Sequence, residues 1–516
     1  MLSGLVDFGR QMWAGRRVPS LPAPKAAVAP VQPRASLHEI AQMQRRLKKF
    51  VPTSEHINSI MQSNGNTIVR RARSLCATNP YAISGREIFT SYLVGKGVRI
   101  TSTLEDKDAR REVNEAWEEW CEESDAHGVQ SLCGQMSLIG PALFQTGEMF
   151  FRRRPRRLSD GLSVPLQLQA LEAEYLDRTF TQALPNGHQI KSGIEFNRIN
   201  QRVAYHFWRT HPGDSQTLLR SIERVRVPAS EVIHVFDQID SDQIRGVPRV
   251  VGGLIRLFLL GEYDDAELDR KKVAALIAGF ITTPHDEDMP AGIPGAEDVD
   301  ANADGVADIE WQPGTLNILR PGEGIEFSDP ADVGGNYEVF RKANLLAVCA
   351  AFGTPYSQTT GDFSAANYSS ERAAQVAFRR RMEPLIEKMV IHQFCRPVWH
   401  WWTEAARLSG AISGDLRTLR RRRKYTPPRW EWVDPKKDLE AEKIAVENGW
   451  KSDSDVIEAI GNDTEGTYER IASDTASRQA KGITLGRDQK PAASSAEPVE
   501  MEDDESTDSQ KQRGAA

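Results

Sequence analysis

Cysteine is scarce: five residues in 516, at Cys76, Cys121, Cys133, Cys349 and Cys395, odd in number and never in a C-x-x-C pair. Neither a disulfide framework nor a thiolate zinc site follows from such a set, and buried free thiols are expected. No apolar run approaches the roughly 18 residues that a bilayer-spanning helix needs, so no membrane partner is expected. An excess of positive charge is also missing. The formal net charge of −7 excludes a surface that grips nucleic acid everywhere, because that affinity comes from Lys and Arg neutralising phosphates. Any DNA contact is therefore local or weak. The opening MLSGLVDFGRQMWAGRRVPS has no early basic cluster, continuous apolar core or small-residue cleavage site. It does not read as a secretory signal, and folding in the cytosol is expected.

Motifs of catalysis are absent too. Gly95-Lys96-Gly97 lies outside any G-x-x-x-x-G-K-[ST] phosphate loop and reads as a helix stop. There is no H-E-x-x-H and no nucleophile elbow, and the ten His are dispersed. The chain is expected not to be an enzyme and to carry no cofactor.

Apolar residues make up 40% and charged residues 27%, an ordinary globular composition, and the length exceeds what one hydrophobic core serves. Residues 18–35 hold five Pro and five Ala, which makes residues 1–35 a flexible arm. At the other end, Glu497–Asp508 has seven acidic residues and no basic one, so 486–516 reads as a disordered acidic tail.

Between these ends the periodicity alternates. Helices are expected over Ser54–Cys76, Ala82–Leu93, Asp106–Glu122 and Val129–Gln145. Period-two strands follow at Met149–Arg153, Leu166–Leu171, Ile190–Phe196 and Val203–Trp208, with Asn200 able to take the left-handed conformation of a tight hairpin. Helical periodicity returns over Gly246–Gly279, broken near Gly261. A Gly/Pro/Asp-rich insert covers Thr282–Gly314, and strand-like pieces follow at Leu316–Leu319 and Ile325–Phe327. Tyr337–Phe352 and Tyr368–Phe394 are helical. The fold class is α+β.

Several segments are more specific. RARSLCATNPYAISGREIFTSYLVGKGVRITS, GIEFNRINQRVAYHFWRTHPGD, RVPASEVIHVF with DQIRGVP, DDAELDRKKVAALIAGFIT, LRPGEGIEFSDP, FGTPYSQTTGDFSAANYSSERAA and VDPKKDLEAEKIAVENGWKS occur in that order. Together, over about residues 60–475, they resemble the lambda-type phage portal proteins. That resemblance implies a homo-oligomeric ring, usually of twelve subunits, at one capsid vertex of the virion. It implies double-stranded DNA in the channel, and terminase, capsid or scaffold, and head-tail connector proteins as partners, with assembly in the host cytoplasm. It divides the chain into an α/β wing (36–245), a stem helix (246–281), a small α/β clip (282–330), a second stem helix (331–352), a tunnel loop (353–370), a long helix with its wing/crown connection (371–425) and a helical crown (426–485). Another head structural protein, capsid or scaffold, is the alternative, and a packaging enzyme a more distant one.

Candidate sites follow from residue chemistry and that map. In the polar stretch 353–370, Asp362, Ser364, Asn367, Tyr368, Ser369 and Ser370 are candidates for weak, exchangeable contacts with a passing DNA backbone. A plain surface connection, with Asn and Ser capping the next helix, is the other reading of the same residues. The charged run Asp264, Asp265, Glu267, Asp269, Arg270, Lys271 and Lys272 is a candidate subunit interface. The basic cluster Arg420, Arg421, Arg422, Arg423 and Lys424 suits either DNA or subunit contacts, while Arg152–Arg157 is expected on a solvated loop. Asp300, Asn302, Asp304 and Asp308 match the opening of a calcium loop, but Trp311 stands where the bidentate carboxylate belongs, so a solvated acidic loop is expected there. Trp399, Trp401 and Trp402 are expected in a core or interface.

Overall fold

The computed structural model describes residues 54–215, 223–275, 279–282, 324–327, 337–364, 367–428, 430, 435–462 and 464–483. The chain divides at His56/Ile57, and all described helices and strands lie in the unit from Ile57 onward.

Helices α1 (Ile57–Thr78) and α2 (Pro80–Leu93) are separated by Asn79, whose side chain accepts from the backbone N–H of Tyr81 and Ala82. Pro80 takes the first helical position, where its missing N–H costs nothing. Strand β1 (Arg99–Ser102) leads into α3 (Lys107–Glu123), whose Val113, Trp117 and Trp120 at helical spacing form its buried stripe. The next expected helix is instead two short ones, α4 (Leu132–Ser137) and α5 (Ile139–Gln145). Its beginning is pre-empted by Asp125, whose carboxylate accepts from the N–H groups of His127, Val129 and Gln130 and folds that segment into a turn.

Strand β2 (Glu148–Pro155) is flanked by β3 (Leu166–Leu171) and by β9 (Val232–Phe236), both antiparallel. A second antiparallel sheet runs in order from β4 (Gln182–Ala183) through β5 (Gln189–Lys191), β6 (Ile194–Phe196) and β7 (Arg202–Trp208) to β8 (Arg224–Pro228). The expected strand Ile190–Phe196 is thus two strands, reversed at Ser192 and Gly193, both at positive φ. Asn200 does take the left-handed conformation in the β6–β7 hairpin, with φ of 58°. Both faces of β2 are covered: Met149 and Phe151 join the large helical core, and Phe150 joins a second core under the five-stranded sheet.

Helix α6 (Val251–Ala275) runs through Gly261 without a break. A helical Gly costs about 1 kcal/mol, and packing on both sides of it holds the helix. Strands β10 (Gly279–Thr282) and β11 (Gly324–Phe327) pair antiparallel, and α7 (Tyr337–Phe352) follows. The expected strand Leu316–Leu319 lies outside the described residues. After a short α8 (Tyr356–Thr360), α9 (Tyr368–Leu385) continues through wide helical turns (Ile386–Cys395) into α10 (Arg396–Ser409). Helix α11 (Leu416–Arg421) then leads to β12 (Arg423–Thr426), which pairs with β1, and α12 (Pro435–Glu447), α13 (Asp453–Ala459) and α14 (Thr464–Ala480) complete the chain.

The large core joins distant segments. Trp117 meets Trp399 and Trp402 with ring centroids 4.9 and 5.0 Å apart, so α3 and α10 share an aromatic cluster. Pairs of this kind add about 0.5–1.5 kcal/mol beyond their buried area. The three tryptophans of α10 are core residues as expected. Cys76, Cys349 and Cys395 are buried, Cys121 is half-buried, and Cys133, contrary to expectation, is exposed because it falls on the outer side of the short α4.

Candidate functional site

Helices α6 and α7 are antiparallel neighbours. At one end Gly253 faces Val348 and Phe352; at the other the Tyr337 hydroxyl donates to Asp264 at 2.8 Å and Arg341 lies 3.7 Å from the same carboxylate. Burial and the Asp264 charge push the Tyr337 hydroxyl up to about 12. The charged run of α6 is largely satisfied within the subunit. Asp264 ties α6 to α7, Glu267 pairs with Arg270 at 2.7 Å and lies 3.9 Å from Lys271, and Asp269 pairs with Lys272 at 2.9 Å; Asp265 is exposed. Exposed pairs one turn apart contribute only about 0.3–0.5 kcal/mol.

A stronger interface signal stands beside them. Ile255, Phe258, Leu259 and Leu268 on α6, with Val339, Phe340 and Leu346 on α7, are large apolar side chains left exposed while Leu257, Leu260, Leu345 and Val348 are buried. The two helices are apolar on more than the face they bury against each other. The sequence carries this as apolar residues beyond a single stripe, a pattern masked by the charges of Asp264–Lys272.

The segment between Phe352 and Tyr368 differs from a plain loop. Gly353 and Gly361 have φ of 74° and 72°, and between them α8 is anchored inward: Thr359 donates to Thr354 at 2.8 Å, Ser357 to Glu371 at 2.8 Å, and Gln358 to the Tyr92 hydroxyl at 3.1 Å. The Thr and Ser hydroxyls can be drawn inward because α8 packs against α2. Asp362 then accepts from the Ser364 N–H and hydroxyl and from the Tyr356 hydroxyl, and these bonds hold its carboxyl at about 2. Asn367 caps α9 by accepting from the Ser370 N–H at 2.8 Å, while the Ser370 hydroxyl accepts from the Asn367 N–H. Ser369 donates to Asn367, and the Tyr368 hydroxyl accepts from Arg372. Asn367 and Ser370 are thus capping residues, Asp362 organises the turn, and Phe363, Ser364, Tyr368 and Ser369 are exposed beside the two caps.

The basic cluster is divided. Arg422 pairs with Glu105 at 2.6 Å, Lys424 with Glu458, and Arg420 with Glu404 at 3.1 Å, while Arg423 donates to the Tyr425 hydroxyl. Arg421 is exposed and has no such partner among the described residues. Of the upstream basic run, Arg152–Arg154 lie in β2 rather than on a solvated loop, with Arg153 3.5 Å from Glu404, and Arg156 just beyond the strand donates to Gln167 at 2.8 Å. Pairing with β3 draws the backbone of this run into the sheet.

The calcium-loop residues Asp300, Asn302, Asp304 and Asp308 lie outside the described residues. Among the described residues one group has metal-ligand spacing, Glu172, Glu174 and His211. The Arg73 guanidinium already sits between the two carboxylates, at 2.7 and 2.9 Å, and takes the place a cation would occupy.

A buried charged centre was not foreseen from the sequence. Glu148, fully buried, accepts from Arg245 at 2.5 and 2.9 Å, from Arg178 at 2.8 Å and from the Gly246 N–H at 2.9 Å, and lies 3.1 Å from His234 Nε2. Burial opposes its ionisation, but Arg245, Arg178 and the His234 bond outweigh it and hold the carboxyl well below its usual range. Burial pushes His234 down to about 4. Arg245 also donates to the carbonyls of Ser192 and Leu176, so the centre joins β2, β9, the turns of the second sheet and the approach to α6. With every member buried it serves cohesion. The signal in the sequence was an isolated Glu opening an apolar strand and an Arg inside IRGVP, 97 residues apart.

The chain matches the family model described as phage portal protein, lambda family, over residues 43–385. The probable portal protein of Halomonas phage phiHAP-1 is 28% identical over 463 residues, covering 86% of this chain and 88% of that protein. Portal protein B of Escherichia phage lambda is 21% identical over 360 residues, covering 64% and 67%. Among solved structures, a chain from the neck of an empty gene transfer agent particle aligns with a TM-score of 0.45 at 14% identity, over 77% of this chain and 93% of that one. The family match alone spans more than half of the sequence, and the chain belongs to the lambda family of phage portal proteins.

Proposed function

We propose that the protein assembles as a ring, of about twelve copies as is usual in its family, at one capsid vertex and forms the channel through which DNA is packaged by terminase and later ejected, joining head to tail. The role is structural and requires no catalysis by this chain. The observation that carries the reading is the exposed apolar face of α6 and α7, with Phe258 and Phe340 about half exposed in the isolated subunit. Patches of this kind on a soluble chain mark an interaction surface, and neighbouring copies in a cyclic ring present complementary patches to one another.

In this reading, residues 36–245 supply the wing, α6 and α7 the stem, the β10–β11 pair the base of the clip, and the residues from 426 the crown. The segment after Gly353 faces the channel with Phe363, Ser364 and Tyr368. A channel must hold duplex DNA without deep wells, since each neutralised phosphate releases counterions and strengthens binding; hydroxyl groups suit that requirement. The acidic formal charge agrees with it. Negative-stain imaging with native mass measurement tests the assembly. Rings with a central hole are expected, whereas shells or elongated particles would favour a capsid or scaffold protein and a monomer at every concentration would refute the ring.

A further inference from the structure

Helices α10 and α11 and strand β12 form a cleft of about 730 Å³ lined by Arg396, His400, Arg417, Arg420, Arg421 and Arg423, with Asp415 the only carboxylate in the wall among the described residues. Its volume is in the ordinary range of ligand sites, roughly 300–1,000 Å³. Five guanidinium groups therefore face one carboxylate, and Asp415 is engaged already, accepting from the Thr418 N–H at 2.9 Å and from its hydroxyl at 3.0 Å as the cap of α11. Arg420 is held by Glu404 outside the wall, and Arg423 by the Tyr425 hydroxyl. Among the described residues Arg396, Arg417 and Arg421 have no acidic or carbonyl partner, although arginine elsewhere in this chain finds one repeatedly, as at Arg73, Arg224 and Arg226. The positive field is felt by the histidine among them: burial first, then Arg423, Arg420 and Arg396, push His400 down to about 4.

We infer that this cleft is an anion site, built for phosphate groups of a DNA backbone. Planar guanidiniums match phosphate oxygens two at a time, which favours phosphate over a point-like anion. Three of them carry no counter-charge among the described residues, so an incoming phosphate meets donors that need not first give up a partner there. The inference rests on the proposed role in DNA packaging, since that role brings a duplex to the protein. It adds one local contact to a surface that otherwise favours diffuse ones.

The test uses assembled full-length protein and a fluorescent duplex of about 30 base pairs, with binding followed by anisotropy across a salt series. Arg417→Gln with Arg421→Gln, both exposed and outside the internal ion pairs, is expected to raise the dissociation constant about tenfold at roughly 0.1 M salt and to make the log–log salt slope shallower by about 2, roughly one unit for each phosphate left unneutralised. The control pair Arg70→Gln with Arg71→Gln, exposed on α1, is expected to leave both within about twofold, a diffuse contribution only. Equal effects of the two pairs, or none from the first, would overturn the inference. So would displacement of the duplex by millimolar inorganic phosphate at constant ionic strength, which would make a free anion the resident. If deleting residues 487–516 abolishes the effect of the first pair, the acidic tail is the occupant and the assignment fails. Ring images of the same samples separate these outcomes from failure of assembly.

Discussion

Arg245 grips Glu148 through two nitrogens, at 2.5 and 2.9 Å, across 97 residues of chain, and the next residue, Gly246, donates its N–H to the same carboxylate. The contact ties the central strand of the three-stranded sheet to the segment that enters α6, so a buried ion pair fixes the point from which the long helix starts.

Breaking that pair from one side leaves an uncompensated buried charge. Arg245→Met is expected to destabilise the subunit by about 3–5 kcal/mol, read as a lowered urea midpoint. Stability should also fall with acid in two stages. His234, held down to about 4, takes up its proton more readily in the unfolded chain, so stability declines as pH drops from its ordinary 6.5 toward 4. Glu148, held well below 4.5, contributes stability above that value that is lost as pH falls further. Urea midpoints between about pH 7 and 3 check both, and a flat profile would contradict the assignment.

Gly246 is required by close approach. A Cβ there would lie 2.0 Å from the Gly147 carbonyl oxygen, so backbone must move. Gly246→Ala is expected to cost about 3 kcal/mol, the upper end of overpacking. Gly161→Ala is the contrast: φ is 77° but nothing lies within 4 Å of its Cβ, and only conformational strain of about 1–2 kcal/mol is expected. Thermal unfolding of both variants ranks them.

Phe258→Asp and Phe340→Asp place charge on the exposed apolar face of the paired helices. The isolated Phe258→Asp subunit should keep its stability within about 0.5 kcal/mol, as for other surface changes, and Phe340→Asp should lose about 1 kcal/mol more because its ring packs on Tyr263 at 5.1 Å between centroids, while the ring fraction in size-exclusion profiles collapses for both. Intact rings in both variants would show that this face is not between copies.

Ser364→Arg adds a cation to the exposed turn after α8, beside Asp362. If the turn lines the channel, packaging should slow, and more at low salt than at high salt because phosphate contacts are screened. Deleting Asp362–Ala366 should leave rings but impair packaging or retention in an in vitro assay. Wild-type packaging by the deletion would remove this turn from the channel.

The sequence by itself determined the α+β class, the helix Tyr337–Phe352, the strand Leu166–Leu171 and the left-handed Asn200, because periodicity and turn chemistry act within a few residues. The ordered family-like segments were legible for the same local reason. Only the tertiary structure decided that Gly261 stays helical and that the arginines of 396–423 gather around one cleft, three of them unpaired among the described residues. It alone joined Glu148 to Arg245. These outcomes depend on which surfaces meet across tens to hundreds of residues, where the burial of a charge or the packing of a neighbouring helix outweighs the roughly 1 kcal/mol preferences a local pattern expresses.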